Sequence, residues 1–73
     1  MKYAMEQRLR MIDFLVDTYG YINRSVIMDY FDVGSATVTR DSTEYQNIRP
    51  DNLIYSVKEK RYYKSNNFER LFD

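Results

Sequence analysis

Seventy-three residues with no cysteine and no histidine set the outer limits of this chain. That length builds one small core, at the size where burial only just outweighs conformational entropy. The composition rules out a disulfide framework or thiolate metal site and removes the commonest general base and zinc ligand. Eleven basic and eleven acidic residues cancel to a formal net charge of zero, which weighs against nucleic-acid binding unless the charges are unevenly placed.

From about Lys2 to Tyr19, the residues Met5, Leu9, Ile12, Leu15, Val16 and Tyr19 recur at steps of three and four, the stripe of an amphipathic helix. Glu6, Arg10, Asp13 and Asp17 fall on the opposite face. Glu6 precedes Arg10 by four, the order that favours a surface ion pair, and Gly20 supplies a left-handed helix end. Tyr21-Ile22-Asn23 then fits a short first strand, and Asn23 can cap a second helix from Arg24 to Phe31 with Val26, Ile27, Tyr30 and Phe31 turned inward. Asp32-Val33-Gly34 is so short that the next helix must cross the second one steeply, as in a helix-turn-helix.

The third helix, about 35–46, has Gly34 and Ser35 as candidate caps and Val38, Ser42 and Tyr45 on an inward face. Ser35, Ala36, Thr39, Arg40 and Thr43 therefore point outward. Small side chains let a helix approach a surface closely, and hydroxyls with one guanidinium suit phosphates or base edges in a DNA major groove. Ser35, Thr37 and Thr39 are weak signals singly, because hydroxyls near a helix start often serve only the backbone. For Arg40, guanine or phosphate contact stands against a surface pair with Glu44, four residues on. Arg24 has two readings of equal weight, a DNA backbone contact or a pair with Asp29. Asp41 suits an orienting role toward Arg40 or another basic residue.

Pro50, among Asn and Asp residues, makes 46–52 a loop. Leu53–Val57 and Arg61–Tyr63 read as two strands joined by Lys58-Glu59-Lys60, a hairpin too short to stand without support from the helices. Lys58, Lys60, Arg61 and Lys64 against Glu59, four cations to one carboxylate, leave this wing three charges positive. Asp13, Asp17, Asp29 and Asp32 load the first half with negative charge. A basic edge of this kind can dock on phosphate while the acidic remainder discourages non-specific binding. Tyr62 and Tyr63 lie between cations, as in single-strand stacking platforms, but strand alternation sends one of them into the core. Ser65–Asp73 fits a short C-terminal helix with Phe68, Leu71 and Phe72 on one face, covering the domain's own core in preference to a dimer seam or a protein partner.

At the third helix a family resemblance becomes visible. Phe31, Val33, Thr37, Val38, Arg40 and Asp41 resemble the apolar-x-Val-Ser-x-x-Thr-Ile-x-Arg-Asp-Leu run of bacterial winged helix-turn-helix repressors of the DeoR type. Tyr45, Pro50, Asn52-Leu53-Ile54-Tyr55, Lys60, Tyr63 and Phe68 resemble the N-terminal DNA-binding domain of WYL-domain transcription regulators found beside phage-defence systems. The resemblance spans roughly Arg8 to Phe72. Gly34 departs from the family's capping Ser and Ser42 from its buried Leu. The resemblance implies that Arg40 lies at the DNA surface and supports Lys60 as a wing contact. In the regulators resembled, linker, dimerisation and ligand-sensing regions follow the point reached by Phe72.

These readings converge on an α+β fold, a small winged helix-turn-helix over residues 1–73 with three helices, a β-hairpin wing and a short C-terminal helix. The expected function is sequence-specific binding of double-stranded DNA by a transcriptional regulator, a repressor of phage or mobile-element origin. Arg24, Ser35, Ala36, Thr37, Thr39, Arg40, Thr43, Lys58, Lys60 and Arg61 are the candidate DNA contacts. A homodimer is expected, because one recognition helix covers few base pairs. The alternatives are a winged-helix protein adaptor using Phe68, Leu71 and Phe72, and a replication-origin or excision protein. Asp13 with Asp17, or Asp29 with Asp32, are the nearest approach to a magnesium site. Without a phosphate loop or nucleophile they read as a solvated acidic face. No catalytic site, cofactor or metal is expected. With no apolar run of membrane-spanning length and no signal-peptide pattern, the expected location is the cytoplasm.

Overall fold

A computed structural model of the chain describes residues 2–72. Its elements run α1 (Tyr3–Tyr19), β1 (Tyr21–Ile22), α2 (Arg24–Phe31), α3 (Ser35–Ile48), β2 (Leu53–Ser56) and β3 (Arg61–Lys64). The three antiparallel strands lie in the order β1-β3-β2, so the last strand is central. Tyr21 and Ile22 pair with Tyr63 and Tyr62, and Leu53 through Ser56 pair with Lys64 back to Arg61. The first strand thereby ties the hairpin to the helices, support that an isolated two-stranded ribbon lacks.

One apolar cluster unites Leu9, Ile12 and Val16 of α1 with Ile22, Ile27, Val38, Tyr45 and Leu53. The amphipathic spacing of α1 accounts for its three members. Gly20 ends that helix at φ 85°, and its N–H donates to Val16 O at 2.9 Å. A side chain there meets no atom within 4 Å. The requirement for glycine is thus the left-handed backbone itself, which costs other residues about 1–2 kcal/mol. Asp32 closes α2 in the same conformation, φ 54°, and its tight connection delivers α3 across α2.

Several expectations need correction. On α1, Tyr19 is 65% exposed, while Asp13, read as a surface acid, is fully buried. Within α2 only Ile27 is buried. Val26 and Tyr30 are 42% and 70% exposed, and Met28 and Phe31 pack against the core instead. Both sides of this eight-residue helix are apolar, so its own periodicity cannot choose the face that the flanking helices cover. Asn23 occupies the cap position of α2, but its side chain makes no capping bond. Helix α3 runs two residues beyond the expected 46, to Ile48, and leaves a shorter loop.

The expected C-terminal helix is absent. Residues 65–72 form turns and irregular chain, and Asp73, the end of that expected helix, lies outside the described residues. The N–H groups of Glu69, Leu71 and Phe72 donate to Asn52 Oδ1 at 2.9 Å, Asp13 Oδ1 at 2.9 Å and Asp13 Oδ2 at 3.0 Å. A helix this short is marginal in water, and side-chain acceptors supplied by the fold displace its i−4 carbonyls. Phe68, Leu71 and Phe72 nevertheless pack against the core, as their apolar character requires.

Candidate nucleic-acid interface

Helix α3 owes its orientation to two buried carboxylates. Asp41 falls in the inward stripe, between Val38 and Tyr45, and is fully buried. Arg8 of α1 meets it with both edges of its fork, Nε to Oδ2 at 2.6 Å and Nη2 to Oδ1 at 3.2 Å. Paired hydrogen bonds of this kind fix direction as well as distance. Asp41 therefore orients a basic residue, as expected, but that residue is Arg8 of the first helix.

Asp13 holds the other end. Its oxygens accept from the Tyr45 hydroxyl at 2.6 Å, Arg70 Nε at 2.7 Å and the two backbone N–H groups of Leu71 and Phe72. Burial alone pushes the carboxyl up, but these donors together outweigh it and hold Asp13 below the usual aspartate range. The Tyr45 phenol is raised, by burial first and then by Asp13. Asn52 completes the network by donating to the Tyr45 oxygen at 3.0 Å and to Glu69 O at 2.7 Å. Asp13 is thus a structural acceptor with its lone pairs in use, and its pairing with Asp17 as a metal site is corrected accordingly. Asp17 instead receives Lys64 Nζ at 3.1 Å and Arg70 Nη1 at 3.3 Å. The Lys64 hydrogen bond leads the causes that keep its carboxyl low.

With Val38, Asp41, Ser42 and Tyr45 inward, α3 presents Ser35, Ala36, Thr39, Arg40 and Thr43 to solvent. Thr37 is half-buried, lining a shallow recess with Met5, Arg8, Arg40 and Asp41. Arg40 forms no ion pair among the described residues, with Glu44 or any other acid. Arg24 joins the same face from α2. Its Nη2 reaches Ser35 O at 2.8 Å, Ser35 Oγ at 2.6 Å and Thr39 Oγ1 at 2.6 Å. It pairs with α3 hydroxyls and not with Asp29.

The wing cations divide into two sets. Lys58 and Lys60 stand exposed at the hairpin tip, free of ion pairs among the described residues. Lys60 holds φ 56°, and its N–H donates to Ser56 O at 2.7 Å to close the turn. Arg61 lies with its guanidinium 4.7 Å from the Tyr21 ring centre, and Lys64 is occupied by Asp17. Tyr62 packs on the core, whereas Tyr63 donates its hydroxyl to Glu59.

Sequence reasoning missed Arg8 and Arg70 as the partners that organise the site. A signal for the buried acids was present: Asp13 lies four residues after Leu9 and three before Val16, inside the apolar stripe, and Asp41 stands likewise between Val38 and Tyr45.

The sequence that builds these crossed helices and the basic hairpin matches a known family. Residues 4–73 match the model of the BrxR transcriptional regulator winged helix-turn-helix domain. The chain belongs to that family. Among curated proteins it is 31% identical over 71 residues to the DNA-binding transcriptional repressor CapW of Escherichia coli strain KTE188. It is 30% identical over 71 residues to CapW of Stenotrophomonas maltophilia and 31% identical over 71 residues to CapW of Pseudomonas aeruginosa. In each case the match covers 97% of this chain and 24% of the relative, so the chain spans about a quarter of the curated relatives it matches. The winged helix-turn-helix resemblance read from Phe31 to Asp41 is borne out by this BrxR-family membership. Within the family domain, no helix of the described residues is long and apolar enough to cross a membrane.

Proposed function

We propose that this BrxR-family domain binds double-stranded DNA sequence-specifically and is the DNA-reading part of a transcriptional repressor. The observation that carries the proposal is the exposed face of α3, where Arg40 stands among small side chains with no carboxylate partner among the described residues. The naming of its relatives as DNA-binding transcriptional repressors supports the same reading.

In this reading α3 enters the major groove and Arg40 grips guanine or clamps a phosphate. Lys58 and Lys60 neutralise phosphates beside it, and Arg24 adds a backbone contact through the guanidinium edge that does not face Ser35 and Thr39. A homodimer doubles the base pairs read. The test is fluorescence anisotropy with a labelled duplex from the region upstream of the gene, titrated beside a scrambled duplex at several salt concentrations. Tight, salt-dependent binding to the upstream duplex with much weaker binding to the scramble is the expected result. Absence of binding to both at low salt overturns the proposal and favours an adaptor role for the domain.

A further inference from the structure

We infer that the outward face of α3 recognises thymine by its methyl group, through Ala36, Thr39 and Thr43, with Arg40 as the polar reader beside them. The inference rests on the proposed docking of α3 in the major groove and names the base chemistry that this helix selects there.

Ala36, Thr39, Arg40 and Thr43 are separated by three, four and seven positions, so they form one stripe along the helix. A serine or threonine hydroxyl carries a single hydrogen to donate. Thr39 spends its own on Ser35 O at 3.1 Å and Thr43 spends its own on Thr39 O at 3.0 Å. The Thr39 oxygen also accepts from Arg24 Nη2. Both threonines are exposed, and each leaves its methyl group unengaged; what remains of either hydroxyl is acceptor capacity alone.

In the major groove, guanine N7 and O6, adenine N7 and thymine O4 are all acceptors, and they need a donor from the protein. Neither threonine has one left, so their oxygens are limited to accepting from adenine N6 or cytosine N4. The thymine C5-methyl needs only an apolar neighbour, which alanine and threonine methyls supply. Arg40 is then the donor of the stripe, suited to guanine. The chemistry therefore favours a half-site of thymines flanking a guanine over a site read through hydroxyl donors.

The test begins with selection of duplexes from a randomised library by the 73-residue chain, followed by anisotropy on the selected duplex. Each thymine is replaced in turn by deoxyuridine, which removes the C5-methyl and leaves every hydrogen-bonding group in place. Loss of about fourfold in affinity per contacted methyl is expected, the equivalent of one buried methyl group. Thr43→Val keeps the methyl and is expected to bind within about twofold of the parent. Thr43→Ser keeps the hydroxyl and is expected to lose about fourfold and to become indifferent to deoxyuridine at one position. Thermal melting of both variants checks that the fold is intact.

If deoxyuridine is tolerated everywhere while selected duplexes still bind tightly, methyl reading is refuted and DNA binding stands. Retention by Thr43→Ser with loss by Thr43→Val assigns the contact to the hydroxyl and also overturns the inference. Failure to enrich or bind any duplex removes the underlying function together with the inference.

Discussion

Arg40 and Asp41 are adjacent on α3, yet the turn that sends the guanidinium into solvent places the carboxylate at 0% exposure, 2.6 Å from Arg8 of another helix. The same division separates the wing tip, where Lys58 and Lys60 stand free of ion pairs among the described residues, from the base of the molecule, where Arg70 is consumed by Asp13 and Asp17. Asp13, Asp17 and Asp41 are paired with Arg8, Lys64 and Arg70, so the pairing removes charges of both signs equally and the remaining sum is still zero. What the fold changes is the placement of charge, because the paired groups largely cancel each other's field where they sit. Cations on α3 and at the hairpin tip keep theirs for a partner.

The largest effect expected on this division is at its buried side. Asp41→Ala leaves the largely buried Arg8 without its carboxylate and is expected to cost about 3–5 kcal/mol, on the order of half the stability of a small domain. Thermal melting followed by circular dichroism reads this, and an unchanged midpoint would remove Asp41 as the strut of α3.

Asp13→Asn keeps the shape but sets an amide donor against the donors of Tyr45, Arg70, Leu71 and Phe72. A loss of about 1–3 kcal/mol is expected. The parent should also show an acid limb. Because the folded carboxyl of Asp13 titrates below its ordinary value, its stabilisation is full above the ordinary aspartate value of the unfolded chain and is lost as pH falls through the folded value. Melting scans from neutral pH downward should show this slope in the parent and a flatter one in Asp13→Asn. Equal slopes would contradict the assignment.

On the exposed side the signs change. Arg40→Ala is expected to leave stability within about 0.5 kcal/mol while costing about 1–3 kcal/mol of DNA affinity and blurring sequence preference. Lys60→Gly sharpens the contrast further, because Lys60 holds a left-handed backbone at φ 56°. Relief of that strain should stabilise the hairpin by about 0.5–1 kcal/mol, and loss of the charge should weaken every duplex alike and reduce the salt slope by about 1. Unchanged affinity and an unchanged salt slope would exclude Lys60 from phosphate contact. The smallest effect belongs to the Glu6–Arg10 pair, 3.3 Å apart on the open face of α1. Glu6→Gln should shift stability by less than about 0.5 kcal/mol, and less still in high salt.

Legibility followed the range of the forces involved. Gly20 as a helix end, the short strand before α2, the hairpin from Leu53 and the outward set on α3 were readable because each depends on neighbours within about one or two helical turns or a strand period. Asp13 was misread as a surface acid because charge was given more weight than its place in the apolar stripe, and Asp41 was given its orienting role without its burial or its partner Arg8. Burial was open to them only with Arg70 and Arg8, which lie 57 and 33 residues away. The segment after Lys64 was read as a helix from the spacing of Phe68, Leu71 and Phe72. That spacing correctly placed the three side chains on the core and said nothing of the backbone between them.

By itself, the sequence determined the order of the helices and strands, the inward and outward sets of α3, the basic hairpin and the resemblance carried by Phe31 to Asp41. Periodicity, turn chemistry and local charge are properties of short stretches, and they survive without knowledge of distant partners. Only the tertiary structure decided which charges the fold consumes and which it leaves at the surface. A buried carboxylate is stable only beside donors brought from elsewhere in the chain, and the threonine hydroxyls of α3 are committed by Arg24 and by helix carbonyls whose positions depend on how α2 and α3 cross.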